Sequence, residues 1–175
     1  MRLFSRQIVL ADRCISGEIV VDGQHVTAVR ECDTPTAGAQ DLGEDLIIPG
    51  LVDIHTDNLE KHYQPRPGVG WDDVGAVMAH DGQCAAAGIT TVLDSLCMHG
   101  ERNGLDRAAA MPRMIAAIDY AMAEGLLRAD HLLHLRCEVT NPALIEAAQP
   151  YLAHPRLHLL SLMDHRPGQR QLRLK

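Results

Sequence analysis

From residue 47 onward the chain repeats one pattern: a short apolar run, a turn, a helical stretch, then another apolar run. Leu46-Ile-Ile-Pro-Gly-Leu-Val-Asp-Ile54 reads as a strand broken at Pro49-Gly50. Ile89-Thr-Thr-Val-Leu93, His131 to Val139 and Leu157 to Met163 read as three more strands. Between them lie three helices. Asp72 and Asp73 cap the first, which carries Val74, Val77, Met78 and Cys84, and Gly88 stands where a terminating glycine belongs. Met111, Met114, Ile115, Ile118 and Met122 recur at helical spacing, with Pro112 near the expected start and Gly125 after the end. This stripe is core by its spacing. Asn141-Pro142 opens the third helix through Leu144, Ile145 and Ala148. Such alternation predicts a parallel sheet with helices outside it. In such sheets, reactive groups collect at the C-terminal ends of the strands.

Residues 1–46 have a different texture. Glu18-Ile-Val-Val21 and Gln24 to Val29 flank Asp22-Gly23, which predicts a hairpin whose two central residues have positive φ. Thr34 to Gly38 reads as a loop. The 175 residues carry a formal net charge of −7, so a broad phosphate-backbone surface is excluded and nucleic acid is not an expected partner. No apolar run approaches the roughly 18 residues of a membrane span, and the first residues lack a secretory apolar region. Five cysteines at no CxxC spacing predict reduced, buried thiols and a cytoplasmic protein. With aromatics at 3%, the core must be aliphatic.

The first strand runs into His55-Thr-Asp57, whose two side chains project to one side of an extended chain. An imidazole and a carboxylate placed so can share a divalent ion or simply hydrogen-bond each other. The third strand ends in Glu138, a metal ligand or a salt-bridged rim residue. The fourth runs into Asp164-His165. Three of four strands thus end in candidate ligands: His55, Asp57, Glu138 and His165. The loop after the first strand adds Lys61, His62 and Arg66, and Gln169 and Arg170 follow the fourth. These are candidates to hold phosphate oxygens, or solvated charges and a basic terminus.

Pro49-Gly-Leu-Val-Asp-Ile-His55 resembles the first barrel strand of the amidohydrolase superfamily. The runs His55-Thr-Asp-Asn-Leu-Glu-Lys-His62, Pro65-Arg-Pro-Gly68, Ala87-Gly-Ile-Thr-Thr-Val92, Leu135-Arg-Cys-Glu138, Leu162-Met-Asp-His165 and Gly168-Gln-Arg170 narrow the likeness. Together they resemble the phosphonate-utilisation diphosphatase family of the carbon–phosphorus lyase pathway. The resemblance implies an α/β fold: strands 1–46 of a composite β-sandwich, then the first half of a (β/α)8 TIM-like hydrolase barrel over 47–175. It implies hydrolysis of α-D-ribose 1-methylphosphonate 5-triphosphate to the 5-phosphate and diphosphate by a metal-activated water. His55 and Asp57 would stand for the superfamily's usual histidine pair, with Glu138 a further ligand and His165 a ligand or substrate contact. Lys61, His62, Arg66, Gln169 and Arg170 would hold the phosphorylated small molecule. The ion would be Zn, Mn, Fe or Co. The acid that handles the proton is expected outside these residues.

A full barrel takes about 250 residues, and only four of its eight strands are legible here. The chain is therefore expected to be a truncated form without efficient turnover of its own. A different amidohydrolase, such as a deaminase or cyclic amidase, and a non-catalytic half-barrel are the alternatives. Two open parallel edges invite pairing. The 175-residue chain is expected to self-associate through them or to be unstable alone; a monodisperse monomer in sedimentation velocity, melting cooperatively, would contradict this.

Overall fold

The computed structural model describes residues 1–166. Two compact units divide the chain, Met1–Pro49 and the described residues from Gly50 onward. Among the described residues no helix is long and apolar enough to cross a membrane.

The first unit is a five-stranded sheet. Strands β1 (Arg2–Val9), β2 (Cys14–Asp22), β3 (His25–Glu31) and β4 (Gln40–Asp41) follow the order β3-β2-β1-β4, and β5 (Leu46–Ile47) also pairs with β1. The hairpin forms, but one residue later than expected. Asp22 pairs with His25, so the loop is Gly23-Gln24, and of the expected pair only Gly23 has positive φ, at 57°. Phe4, Ile8 and Ile15 supply the apolar interior. Glu18 is fully buried beside them, and its carboxylate accepts hydrogen bonds from the backbone N–H and hydroxyl of Thr36. At Gly17 a Cβ would stand 2.2 Å from the Arg30 carbonyl oxygen, so only glycine allows β2 and β3 this approach.

The second unit holds β6 (Leu51–Thr56), α1 (Asn58–Tyr63), α2 (Asp73–Ala86), β7 (Ile89–Cys97), β8 (Glu101–Arg102), β9 (Leu105–Asp106), α3 (Arg107–Ala123), β10 (Asp130–Glu138), α4 (Leu144–Ala148) and β11 (Leu157–Met163). Its main sheet is wholly parallel in the order β11-β10-β7-β6, a barrel-type half. The four predicted strands and the helices between them are present. Asp72 accepts from Gly75 N–H at 2.7 Å to cap α2, and Gly88 follows its end at φ 77°. Three local readings are corrected. Asn58 to Tyr63 is a helix, too short to show apolar periodicity. Helix α3 starts at Arg107, capped by Asp106, so Pro112 lies inside it. Asn141 caps a turn through the Ala143 N–H, and α4 starts only at Leu144.

Alternation divides the sheet's residues between two faces. Leu96, Leu133, Leu135 and Cys137 face α2 and α3, and pack with Ala76, Val77, Met111, Met114, Ile115 and Ile118. The predicted methionine stripe is this core. All five cysteines are free; Cys84, Cys97 and Cys137 are buried, whereas Cys14 is exposed, against expectation.

A polar chain runs through this apolar layer. Asp94 on β7 is fully buried and accepts from His80 Nε2 of α2 and His131 Nδ1 of β10, each at 2.8 Å. His131 Nε2 faces Asp81 of α2 at 3.5 Å. Asp81 also accepts from the backbone N–H groups of Arg128 and Ala129 and from the Arg128 guanidinium. Burial opposes charge on Asp94, but the hydrogen bonds from His131 and His80 outweigh it and hold the carboxyl below its ordinary range. Burial likewise opposes the His131 cation. The bonded Asp94 and the charge of Asp81 outweigh it and raise the imidazole above its ordinary value. The Arg128 guanidinium and the two histidine donors face the two carboxylates.

A group whose pKa is raised in the fold adds stability below its unfolded pKa and loses it as pH rises through the folded value. His131 thus stabilises fully below about pH 6.5 and progressively less above. Asp81 and Asp94 are lowered, so they act in the opposite sense, stabilising above about pH 4 and losing the effect as pH falls. In melts across pH 5–9 the gap between wild type and His131→Asn is expected to narrow toward alkaline pH; parallel curves would contradict the network's charge.

Candidate active site

The sheet's other face carries His55 and Asp57 from β6 and its end, Ser95 from β7, His134, Arg136 and Glu138 from β10, and Ser161 from β11. Their mutual contacts fix this placement. The His134 and His55 rings meet edge to face, centroids 4.9 Å apart. His134 is buried and ties all four strands together: Nδ1 lies 2.9 Å from Ser95 Oγ and 3.2 Å from the Ile54 carbonyl, and Nε2 lies 2.8 Å from Ser161 Oγ. Burial, reinforced by neighbouring His55, lowers its pKa, so this imidazole is neutral. A neutral ring donates from Nδ1 to the carbonyl and accepts from Ser161 at Nε2.

Above this floor, toward the C-terminal strand ends, the four candidate ligands form two pairs. His55 Nε2 stands 3.8 Å from Asp57 Oδ1. His165 Nδ1 bonds Glu138 Oε1. Arg136 lies between them, donating from Nη1 to Asp57 Oδ1 at 2.8 Å and from Nε to the Met163 sulfur. The structure therefore does not bring all four into one coordination sphere. The His55–Asp57 pair does fit an ion by donor type and separation, since two ligands each about 2.1 Å from a metal lie this far apart. Among the described residues, the one set of three donors within 4.8 Å of one another is His80, Asp94 and His131. Its donor types also suit a divalent ion. It is wholly buried on the helix side, where Asp94 already accepts from both imidazoles.

Beside the two pairs opens a cleft of about 390 Å³, lined by His99, Arg107, Arg136, Glu138, His165 and Arg166 among others. The arginines are already oriented by carboxylates: Arg107 by Glu60, Arg136 by Asp57, and Arg166 by Asp164. None of Lys61, His62 and Arg66 lines this cleft. Lys61 is exposed on α1 and donates to Asn58 Oδ1 at 2.9 Å. His62 bonds Gln83 Oε1 at 2.9 Å, and its ring lies 5.8 Å from that of His80. Arg66 is exposed in the following loop, in an isolated bridge with Val69. Gln169 and Arg170 lie outside the described residues.

Arg107 and Arg136 were not among the sequence candidates. Arg136 was within reach, because it stands two residues before Glu138 and so shares its face. Arg107 carries no such mark: only the fold brings it to Glu60, 47 residues earlier in the chain.

No family model matches the sequence. Over 165 residues, 94% of this chain, it is 38% identical to the alpha-D-ribose 1-methylphosphonate 5-triphosphate diphosphatase of Escherichia coli (strain K12), of which it covers 44%. The chain thus spans less than half the length of this relative. Its fold is similar to N-acetyl-D-glucosamine-6-phosphate deacetylase from Mycobacterium smegmatis, with TM-score 0.57 and 17% identity over 96% of this chain and 45% of that one. It is also similar to D-hydantoinase from a Bacillus sp. AR9, with TM-score 0.51 and 18% identity over 91% of this chain and 32% of that one. At these identities the likeness concerns the fold alone.

His134→Leu would leave Ser95, Ser161 and the Ile54 carbonyl without their partner beneath the cleft. A loss of about 2–4 kcal/mol is expected in urea unfolding, with His134→Asn recovering part of it. Equal stability of wild type and His134→Leu would deny the residue its stitching role.

Proposed function

For a chain with the amidohydrolase fold and the sequence of a triphosphate-diphosphatase relative, we propose membership of a metal-dependent hydrolase acting on α-D-ribose 1-methylphosphonate 5-triphosphate. The bond broken is a phosphoanhydride; diphosphate leaves and the 5-phosphate remains. The observation that carries this reading is the strand-end arrangement of His55, Asp57 and Arg136 beside an arginine-lined cleft.

His55 and Asp57 would hold a divalent ion, whose identity is open among Zn, Mn, Fe and Co. Such an ion supplies charge neutralisation at phosphoryl oxygens and a water acidic enough to ionise near neutral pH. Arg136 fixes the direction of the Asp57 carboxylate by holding Oδ1, the same oxygen that stands 3.8 Å from His55 Nε2. Glu138 orients His165 at Nδ1, which leaves Nε2 to meet the ion or a phosphoryl oxygen. Arg107, Arg136 and Arg166 have N–H donors beyond those spent on carboxylates. Those donors would hold the phosphoryl oxygens and stabilise charge on the departing diphosphate. Diphosphate is a good leaving group, so charge neutralisation carries more of the work than proton donation. Gln169, Arg170 and Arg66 remain proposed contacts to the same ligand, with Lys61 and His62. We place the protein in the cytoplasm on its free thiols.

Because these residues cover 44% of the relative, we assign them the first metal ligands and part of the phosphate-binding surface. Turnover belongs to a protein carrying the rest as well. In such a protein, metal-dependent diphosphate release is expected to fall at least about 100-fold in Asp57→Asn and in His55→Ala, by loss of charge stabilisation of several kcal/mol. Retention of full release in both would sink the proposal.

A further inference from the structure

Two segments that leave the strand ends meet away from the metal pair and enclose a second cleft. Helix α1 follows β6, and the β8–β9 hairpin follows β7. The hairpin turns through Asn103-Gly104, with φ of 52° and 83°, as a two-residue turn with both central residues left-handed requires. Gln64 at the end of α1 clamps this turn by donating Nε2 to the Asn103 carbonyl at 2.9 Å. Beneath lies Glu60, 4% exposed, with its carboxylate oxygen Oε2 shared by two arginines. Arg107 donates from Nε and Nη2 at 3.2 and 3.0 Å, and Arg102 from Nη1 at 3.4 Å.

A buried carboxylate with two guanidiniums costs desolvation that one pair would have satisfied. The arrangement is explained by what it does to the arginines. Arg107 points along the large cleft of the candidate active site. Arg102 points along the second cleft, of about 250 Å³, which Lys61 and Gln64 also line. Arg102 spends a single donor on Glu60, and among the described residues its other donors have no partner. Among the described residues Lys61 donates only to Asn58. Two cations, Arg102 and Lys61, line this cleft with one carboxylate, Glu60, which Arg107 also neutralises, in a chain whose overall charge is −7. A local cationic excess on a net acidic protein, held by a buried anchor and fed by forked donors, fits an anion with several oxygens.

We propose that the cleft between α1 and the β8–β9 hairpin is a condensed-phosphate subsite. Arg102 and Lys61 contact the anion, and Glu60 is the positioning residue that holds Arg102 on this cleft while it also binds Arg107. This rests on the phosphoanhydride reading above. The ligand class is a diphosphate or triphosphate chain rather than a single phosphate, because the Arg102 fork and the Lys61 ammonium offer separate cationic contacts along one cleft.

The test is isothermal titration of the 175-residue chain, without added metal, with inorganic tripolyphosphate, diphosphate and phosphate. Tripolyphosphate and diphosphate are expected to bind at least about tenfold tighter than phosphate. Arg102→Ala, at a half-buried position, and Lys61→Ala, at an exposed one, should each weaken tripolyphosphate about tenfold, and Arg13→Ala on the first unit should not. Glu60→Gln should weaken it as well; should that variant fail to fold, the Arg102 and Lys61 variants decide. Equal affinity for phosphate and tripolyphosphate, or wild-type affinity in both Arg102→Ala and Lys61→Ala, would overturn the subsite. Diphosphate release that needs Asp57 in a protein lacking Arg102-dependent binding would remove the subsite and spare the function. Arg102-dependent binding in a protein whose release ignores Asp57 would do the reverse.

Discussion

The hydrogen bonds into Asp94 are the constraint on which the second unit depends. A carboxylate in an apolar layer is tolerated only when its lone pairs are filled and its charge is balanced. Filling them takes one imidazole from α2 and one from β10, so the helix and the neighbouring strand must arrive in register with β7. The balancing charge takes Asp81 and Arg128 as well. Apolar packing sets no such register by itself, because methionine and alanine surfaces slide at modest cost. The polar chain thus fixes the layer whose other side presents the candidate active site.

That other side is organised by the same residue type with its pKa moved the opposite way. His131 faces the helices between two carboxylates that raise its pKa; His134, three residues on, has its pKa lowered by burial and touches all four strands. Alternation along one strand puts them on opposite faces, and their surroundings set their ionisation. One imidazole locks the helix layer by charge. The other locks the sheet by paired donor and acceptor roles. The ligand pairs then stand on a floor whose imidazole is held toward its neutral form by burial.

How much of this the sequence disclosed depends on how local each cause is. The strand segments follow from runs of β-branched and apolar residues bounded by Gly and Pro, and they are found where expected. The ends of those strands marked His55, Asp57, Glu138 and His165, and all four do reach the same end of the sheet. Their pairing was not legible, because it depends on Arg136 entering between them and on the curvature of four strands. Short elements were misread for a physical reason. Six residues of α1 are too few to show a helical period, and Asn141-Pro142 satisfies a turn as well as a helix start. The Asp22-Gly23 signal found the hairpin and missed its centre by one residue, since strand register and not turn propensity made the final choice. Glu60 with Arg102 and Arg107 had no signal at all: their meeting is a product of tertiary structure.

Trp71, the sole tryptophan, illustrates how position governs what a residue reports. The residue is 61% exposed, and its backbone N–H donates to the Tyr63 carbonyl at the end of α1. Its indole is therefore already solvated in the folded state, and its emission is that of a wet fluorophore before any denaturant is added. Light from this protein is a gauge of the segment around α1 and is nearly blind to the aliphatic interior. An optical probe intended for the interior would have to be introduced there.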